Sequence, residues 1–127
     1  MTRHALIVED EVLISVIAAE ALEEVGFVAV EVGSAKAAMD QIRKIKFDVA
    51  LVDIGLPDLR GDRLVANLRE LSADLPVIIA TGYADQSLHE QFRNERRLVI
   101  LNKPYDVAQL HAALGALSLI DENKFIS

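Results

Sequence analysis

Val77-Ile78-Ile79-Ala80 is an unbroken apolar run of strand length. A strand with no polar side is buried on both faces, and in a domain of ordinary size that means a parallel sheet with helices above and below it. Val49 to Val52 reads the same way, and Leu6-Ile7-Val8 and Leu98 to Leu101 are shorter versions of it. Parallel strands cannot be joined by tight hairpins, so the chain between these runs has to cross over, usually as a helix.

The intervening segments have helical spacing. After a first strand at about 4–9, Val12 to Val25 forms a helix, with Leu13, Val16, Ile17 and Ala21 expected on its packed side and Gly26 at its stop. The near-uniform apolarity of its start suggests deep packing against a sheet. Phe27 to Val32 alternates as an edge strand does, and Ser34 is placed to cap a second helix carrying Ala35, Ala38, Met39 and Ile42. The third strand is Asp48 to Asp53. Leu64, Leu68 and Leu71 trace a third helix, which Ser72 to Pro76 breaks before the Val77 strand. Asp85 to Arg96 has only Leu88 and Phe92 as large anchors, so a loosely docked fourth helix is expected. The fifth strand, Leu98 to Leu101, precedes a last helix with Val107, Leu110, Leu114 and Leu117 in its stripe. Five alternating strand–helix units make an α/β fold, a three-layer sandwich around a five-stranded parallel sheet. All 127 residues read as a single domain, with a core at about 4–118 and a loose tail at 119–127. Met1 suggests a natural start.

Composition narrows the function. A formal net charge of −7 opposes a nucleic-acid-binding role, and the small cluster of Arg93, Arg96 and Arg97 is interleaved with Glu90 and Glu95. There are no cysteines, so neither a disulfide nor a thiolate metal site is available. No run is long enough to span a bilayer and no leader pattern opens the chain, so a cytoplasmic protein without membrane contact is expected.

Loops that follow strands in such a sheet meet at one edge, where ligands bind. The polar residues at those ends are Glu9 and Asp10 after the first strand, Asp53 after the third, Thr81 and Gly82 after the fourth, and Lys103 and Pro104 after the fifth. An acidic pair before a helix can simply favour its dipole, and Asp53 alone can be an N-cap. Together, clustered carboxylates require a cation, and oxygen donors without His or Cys suit Mg²⁺, with Mn²⁺ as an alternative. Lys103 supplies an opposing point charge. Thr81 has a hydroxyl to donate to a phosphoryl oxygen, and small Gly82 leaves room for the group. These are the parts of a phosphoryl-transfer site, with Asp53 as the nucleophile that would become an aspartyl phosphate.

Four pieces, Ile7-Val8-Glu9-Asp10-Glu11, Asp53-Ile54-Gly55-Leu56-Pro57 with Gly61, Ile79-Ala80-Thr81-Gly82 and Lys103-Pro104-Tyr105, resemble the receiver domain of bacterial two-component response regulators of the stand-alone type. The likeness runs from about Ala5 to Leu117. It implies a flavodoxin-like sheet of order 2-1-3-4-5. It implies that Asp53 accepts a phosphoryl group from a phosphohistidine of a sensor kinase or phosphotransfer protein. Asp10, Asp53 and the Gly55 carbonyl would hold Mg²⁺ directly and Glu9 would act through its water. Thr81 and Lys103 would bind phosphoryl oxygens, and the Lys103–Pro104 bond would be cis. Such a domain is a regulatory phosphoacceptor that assists its own phosphorylation and dephosphorylation, not a conventional enzyme. A downstream protein would read the face made by the fourth helix, fifth strand and fifth helix, since no output domain follows Leu117.

Three positions depart from the family pattern. Ile100 replaces the aromatic usually found three residues before the lysine, so the switch residues Thr81, Tyr83 and Ile100 must read the phosphate another way. Arg60 stands where an acidic or amide residue is common. Tyr83, in the loop over the site, is a candidate shield for the acyl phosphate. A phosphate-independent interaction module of the same fold is the alternative function, favoured by Ile100. A phosphatase is disfavoured, because Gly55 occupies the place of the second aspartate that such enzymes need.

Overall fold

A computed structural model of the chain describes residues 2–82 and 86–121. Among the described residues strands and helices alternate: β1 (Arg3–Val8), α1 (Val12–Glu24), β2 (Phe27–Val32), α2 (Ala35–Ile42), β3 (Val49–Asp53), α3 (Gly61–Leu71), β4 (Val77–Thr81), α4 (Gln86–Gln91), β5 (Leu98–Asn102) and α5 (Val107–Ala116). All strand pairs are parallel and the order is β2-β1-β3-β4-β5. The two inner apolar runs are buried at every position, as their lack of a polar side requires.

Strand periodicity divides the core in two. Ala5, Ile7, Val49, Leu51, Ile78, Ala80 and Leu101 face α1 and α5, where Leu22, Leu110 and Leu114 pack against them. Leu6, Val8, Ala50, Val52, Val77 and Ile79 face the opposite layer, built from Ala38, Leu64, Leu68 and Leu88 of α2, α3 and α4. Each fully buried leucine or isoleucine here contributes about 1.5–3 kcal/mol relative to exposure. Leu119 and Ile120, which the sequence places in the tail, pack against the α1–α5 side. The Arg3 guanidinium donates to the Leu119 carbonyl and lies 4.1 Å from the Phe27 ring centroid.

Three helices differ from the sequence reading. In α1 the buried face is Ser15, Ala18, Ala19, Ala21 and Leu22, whereas Leu13 is 78% exposed and Val16 and Ile17 are largely exposed. The helix is apolar on both sides, so spacing could not select the packed one. The alanine side wins because small residues let the helix approach the sheet closely, and Ser15 satisfies its hydroxyl by donating to Glu31 Oε1 at 2.8 Å. The second is α4, a helix of six residues where Asp85 to Arg96 is expected. Leu88 is its buried anchor, and Phe92 follows in a turn rather than in the helix. In α5, Asp106 closes a capping box with Gln109, and Val107 points partly to solvent instead of continuing the stripe.

Candidate functional site

The β1 and β3 ends bring the acidic residues together because the two strands are direct neighbours in the sheet. Glu9 leaves β1 with its N–H bonded to the Val32 carbonyl at 3.0 Å, which holds the chain in register past the strand end. Asp53 is the last residue of β3 and is 6% exposed; Glu9 is 7% exposed, and Asp10 faces solvent. Carboxylate oxygens of Glu9, Asp10 and Asp53 lie within 4.8 Å of one another. Three oxygen donors at this spacing, two of them buried and one open to water, fit a hard divalent cation that keeps part of its water shell.

Lys103 meets this charge from the β5 side. Its N–H bonds to the Thr81 carbonyl at 2.8 Å, which fixes the β5 exit against the end of β4. From there Nζ donates to Glu9 Oε1 at 2.7 Å and Asp53 Oδ1 at 3.2 Å, with Glu11 Oε1 at 4.0 Å. Glu11 belongs to the matching β1 segment, and its approach to Lys103 depends on the turn into α1, which residue spacing does not reveal. Burial pushes the Glu9 carboxyl above its ordinary value, and the Asp53 charge adds to this, outweighing the hydrogen bond from Lys103. Burial acts on Lys103 in the opposite sense, but its bond to Glu9 and the Asp53 charge prevail and hold the ammonium above its usual range.

Thr81 ends β4, is 2% exposed, and shares the sheet face of Val77 and Ile79 by alternation. Gly82 is exposed, and a Cβ there would meet nothing within 4 Å, so the absence of a side chain is not what creates space at that position. At Gly55 a Cβ would stand 3.8 Å from Asp53 Oδ2, in ordinary contact with the carboxylate. Gly61 is different. A Cβ there would collide with the Asp53 carbonyl oxygen and come within 2.8 Å of Ile54 Cα and 2.9 Å of Asp53 C. The start of α3 therefore lies directly on the backbone that carries Asp53. The Lys103–Pro104 peptide bond is cis.

Tyr105 follows on the same loop. Burial, then the Glu9 charge, pushes its phenol up to about 12. With Ile14, Ile17, Lys103 and Pro104 it lines a cavity of about 160 Å³ beside the site. A larger cavity of about 530 Å³ lies between α4 and β5, lined by His89, Phe92, Arg93, Leu98 and Ile100, and shares no residue with the acidic cluster. Ile100 is half-buried there, paired in register with Ile79. Tyr83 falls outside the described residues.

Residues 5–115 match the family model described as the response regulator receiver domain. Among curated relatives, the sporulation initiation phosphotransferase F of Bacillus subtilis is 23% identical over 90% of this chain and 92% of its own length. The response regulator receiver protein CpdR of Brucella abortus is 25% identical over 85% of this chain and 90% of its own length. The transcriptional regulatory protein PdtaR of Mycobacterium tuberculosis is 31% identical over 88% of this chain, which spans 55% of that relative. Among solved structures, the receiver domain protein of Methanospirillum hungatei superposes with a TM-score of 0.84 at 25% identity, over 99% of this chain and 100% of that one. With a flavodoxin-like sheet, an acidic cluster at its edge and a family match over nearly its whole length, this chain belongs to the response regulator receiver domains of two-component signalling.

Proposed function

We propose that the protein is a phosphoacceptor switch in which Asp53 takes a phosphoryl group from a phosphohistidine. The observation that carries the reading is the meeting of Glu9, Asp10 and Asp53 oxygens within 4.8 Å, with Lys103 Nζ bonded to two of the three residues. Glu9, Asp10, Asp53 and the Gly55 carbonyl would hold Mg²⁺, or Mn²⁺ in its place, with Glu9 acting through bound water. The cation supplies neutralisation of phosphoryl and carboxylate charge.

The remaining chemistry belongs to the chain. An Asp53 carboxylate oxygen forms the new bond to phosphorus as the P–N bond of the donor breaks, and the imidazole nitrogen keeps the electron pair and takes a proton. Lys103 would transfer its hydrogen bonds from the carboxylates to phosphoryl oxygens, and the Thr81 hydroxyl would bind another, with Gly82 beside it. Tyr83 retains its proposed role as a shield over the acyl phosphate. The switch would then be a population shift of the loops after β3 and β4 and of α4.

Two faces suit partners. Among the exposed apolar residues of α1, Ile17 lines the smaller cavity together with the Lys103–Tyr105 loop, and Leu13 lies one turn before it on the same face; this side of α1 would receive the donor protein. The α4–β5–α5 face, with its larger cavity, would be read by the downstream protein. A kinase or phosphotransfer protein on one face and an output protein on the other makes a cytoplasmic relay, a role that the name of the Bacillus relative also suggests.

Incubation with a small phosphodonor and Mg²⁺ tests this. Wild type should gain the mass of one phosphoryl group, while Asp53→Asn should gain none. Failure of wild type to gain mass would favour the phosphate-independent module, for which aliphatic Ile100 is the supporting observation.

A further inference from the structure

The loop between β3 and α3, residues 54–60, carries the Gly55 carbonyl that the proposed function assigns to the cation. Backbone bonds close its base, from Ile54 N–H to the Ala80 carbonyl and from Gly61 N–H to the Ile54 carbonyl, both at 2.9 Å. Its outer limb is held from elsewhere in the fold. Asp58 Oδ1 accepts from Ala35 N–H at 2.9 Å and Oδ2 from Lys36 N–H at 3.0 Å.

Those donors belong to the first turn of α2, whose N–H groups have no partner inside the helix. Helix capping normally comes from the preceding residue, and Ser34 already provides it by accepting from Ala37 N–H at 3.2 Å. The Asp58 bonds are therefore an addition to a helix that has its cap, and they span 23 residues of sequence to reach it. The Ala35 N–H first, then that of Lys36, holds the Asp58 carboxyl below its ordinary 3.8, so both bonds are charge-assisted at neutral pH. Between the tether and the carbonyl lies Pro57, whose ring fixes its own φ, while Gly55 is the least restrained residue of the loop. A fixed residue 58 and a stiff residue 57 limit where the 55–56 peptide can point.

We propose that Asp58 is a positioning residue for the cation site: by tying the 54–60 loop to α2 it holds the Gly55 carbonyl in place for the metal. The inference rests on the metal reading given above. Its test is a calorimetric Mg²⁺ titration of the full chain without phosphodonor, on wild type, Asp58→Ala and Asp58→Asn, with thermal unfolding as the check of fold. Asp58→Ala should weaken Mg²⁺ binding about fivefold, the scale set by losing an ordinary hydrogen bond. Asp58→Asn keeps an oxygen for the Ala35 N–H and should recover most of that loss, although it carries no charge. Equal weakening in both variants would mean that Asp58 acts only as a nearby negative charge, and overturns the inference. So does wild-type affinity in Asp58→Ala. If wild type itself binds no Mg²⁺, the metal reading falls and the positioning role falls with it.

Discussion

Lys103 is the residue on which the charge balance of the site turns. Its ammonium stands between Glu9 and Asp53, where a bound cation would also act, so lysine and cation would compete for the same carboxylates. Lys103→Ala should therefore lower the stability of the metal-free protein, by about 1–3 kcal/mol, because two buried carboxylates lose a hydrogen-bonded partner. Mg²⁺ should restore much of that loss, and its affinity should be equal to or higher than in wild type. Denaturant unfolding with and without Mg²⁺ measures both effects; a variant whose Mg²⁺ affinity collapses would contradict the competition. Gly61 answers for geometry rather than charge. Gly61→Ala would press a methyl group into the backbone at Asp53 and Ile54, which has no flexible end to yield. A cost of about 1–3 kcal/mol is expected, together with slower phosphorylation, since relief of the clash moves Asp53. The meeting of Glu9, Asp10, Asp53 and Lys103 at one edge was legible in the sequence because strand-end loops of a parallel sheet converge by construction. The Asp58 bonds to α2 were not legible, because they depend on the path of a loop and on two donors far away in the chain.

At the scale of elements, the inner strands were the most readable and α1 the least. A run such as Val77 to Ala80 has one interpretation, and burial at every position follows from it. A helix with apolar residues on both sides has two, and packing chose the side rich in alanine, leaving Val12, Leu13, Val16 and Ile17 on the surface. Large apolar side chains kept exposed on one helix suit the docking of a partner. Leu13→Gln should leave stability within about 0.5 kcal/mol of wild type, since the side chain is 78% exposed. It should also leave phosphorylation by a small donor unchanged. Transfer from a protein phosphodonor should fall about tenfold, the loss expected for a central apolar contact in an interface. Equal transfer rates from the protein donor would remove α1 from that interface. The shortness of α4 was not legible either: Leu88 and Phe92 have helical spacing, yet the chain leaves the helix after Gln91 and seats Phe92 from a turn, beside the cavity that Ile100 also lines.

For the whole molecule, alternation and burial gave the class of fold, while the order β2-β1-β3-β4-β5 was expected only through the family resemblance, since periodicity contains no information on which strands are neighbours. That order is what makes the site. It sets β1 beside β3 and β3 beside β4, and so places Glu9, Asp10, Asp53 and Thr81 at one edge with Lys103 arriving from β5. A net charge of −7 and an acidic cluster then fit a domain whose partners are proteins and a divalent cation. The central claim is that this edge exists to phosphorylate Asp53. The most direct measurement is to treat the protein with a small phosphodonor and Mg²⁺, reduce the acyl phosphate with borohydride, and locate the modified residue by peptide mass analysis. The account predicts homoserine at position 53, dependent on the divalent cation; modification at another carboxylate, or none at any, would contradict it.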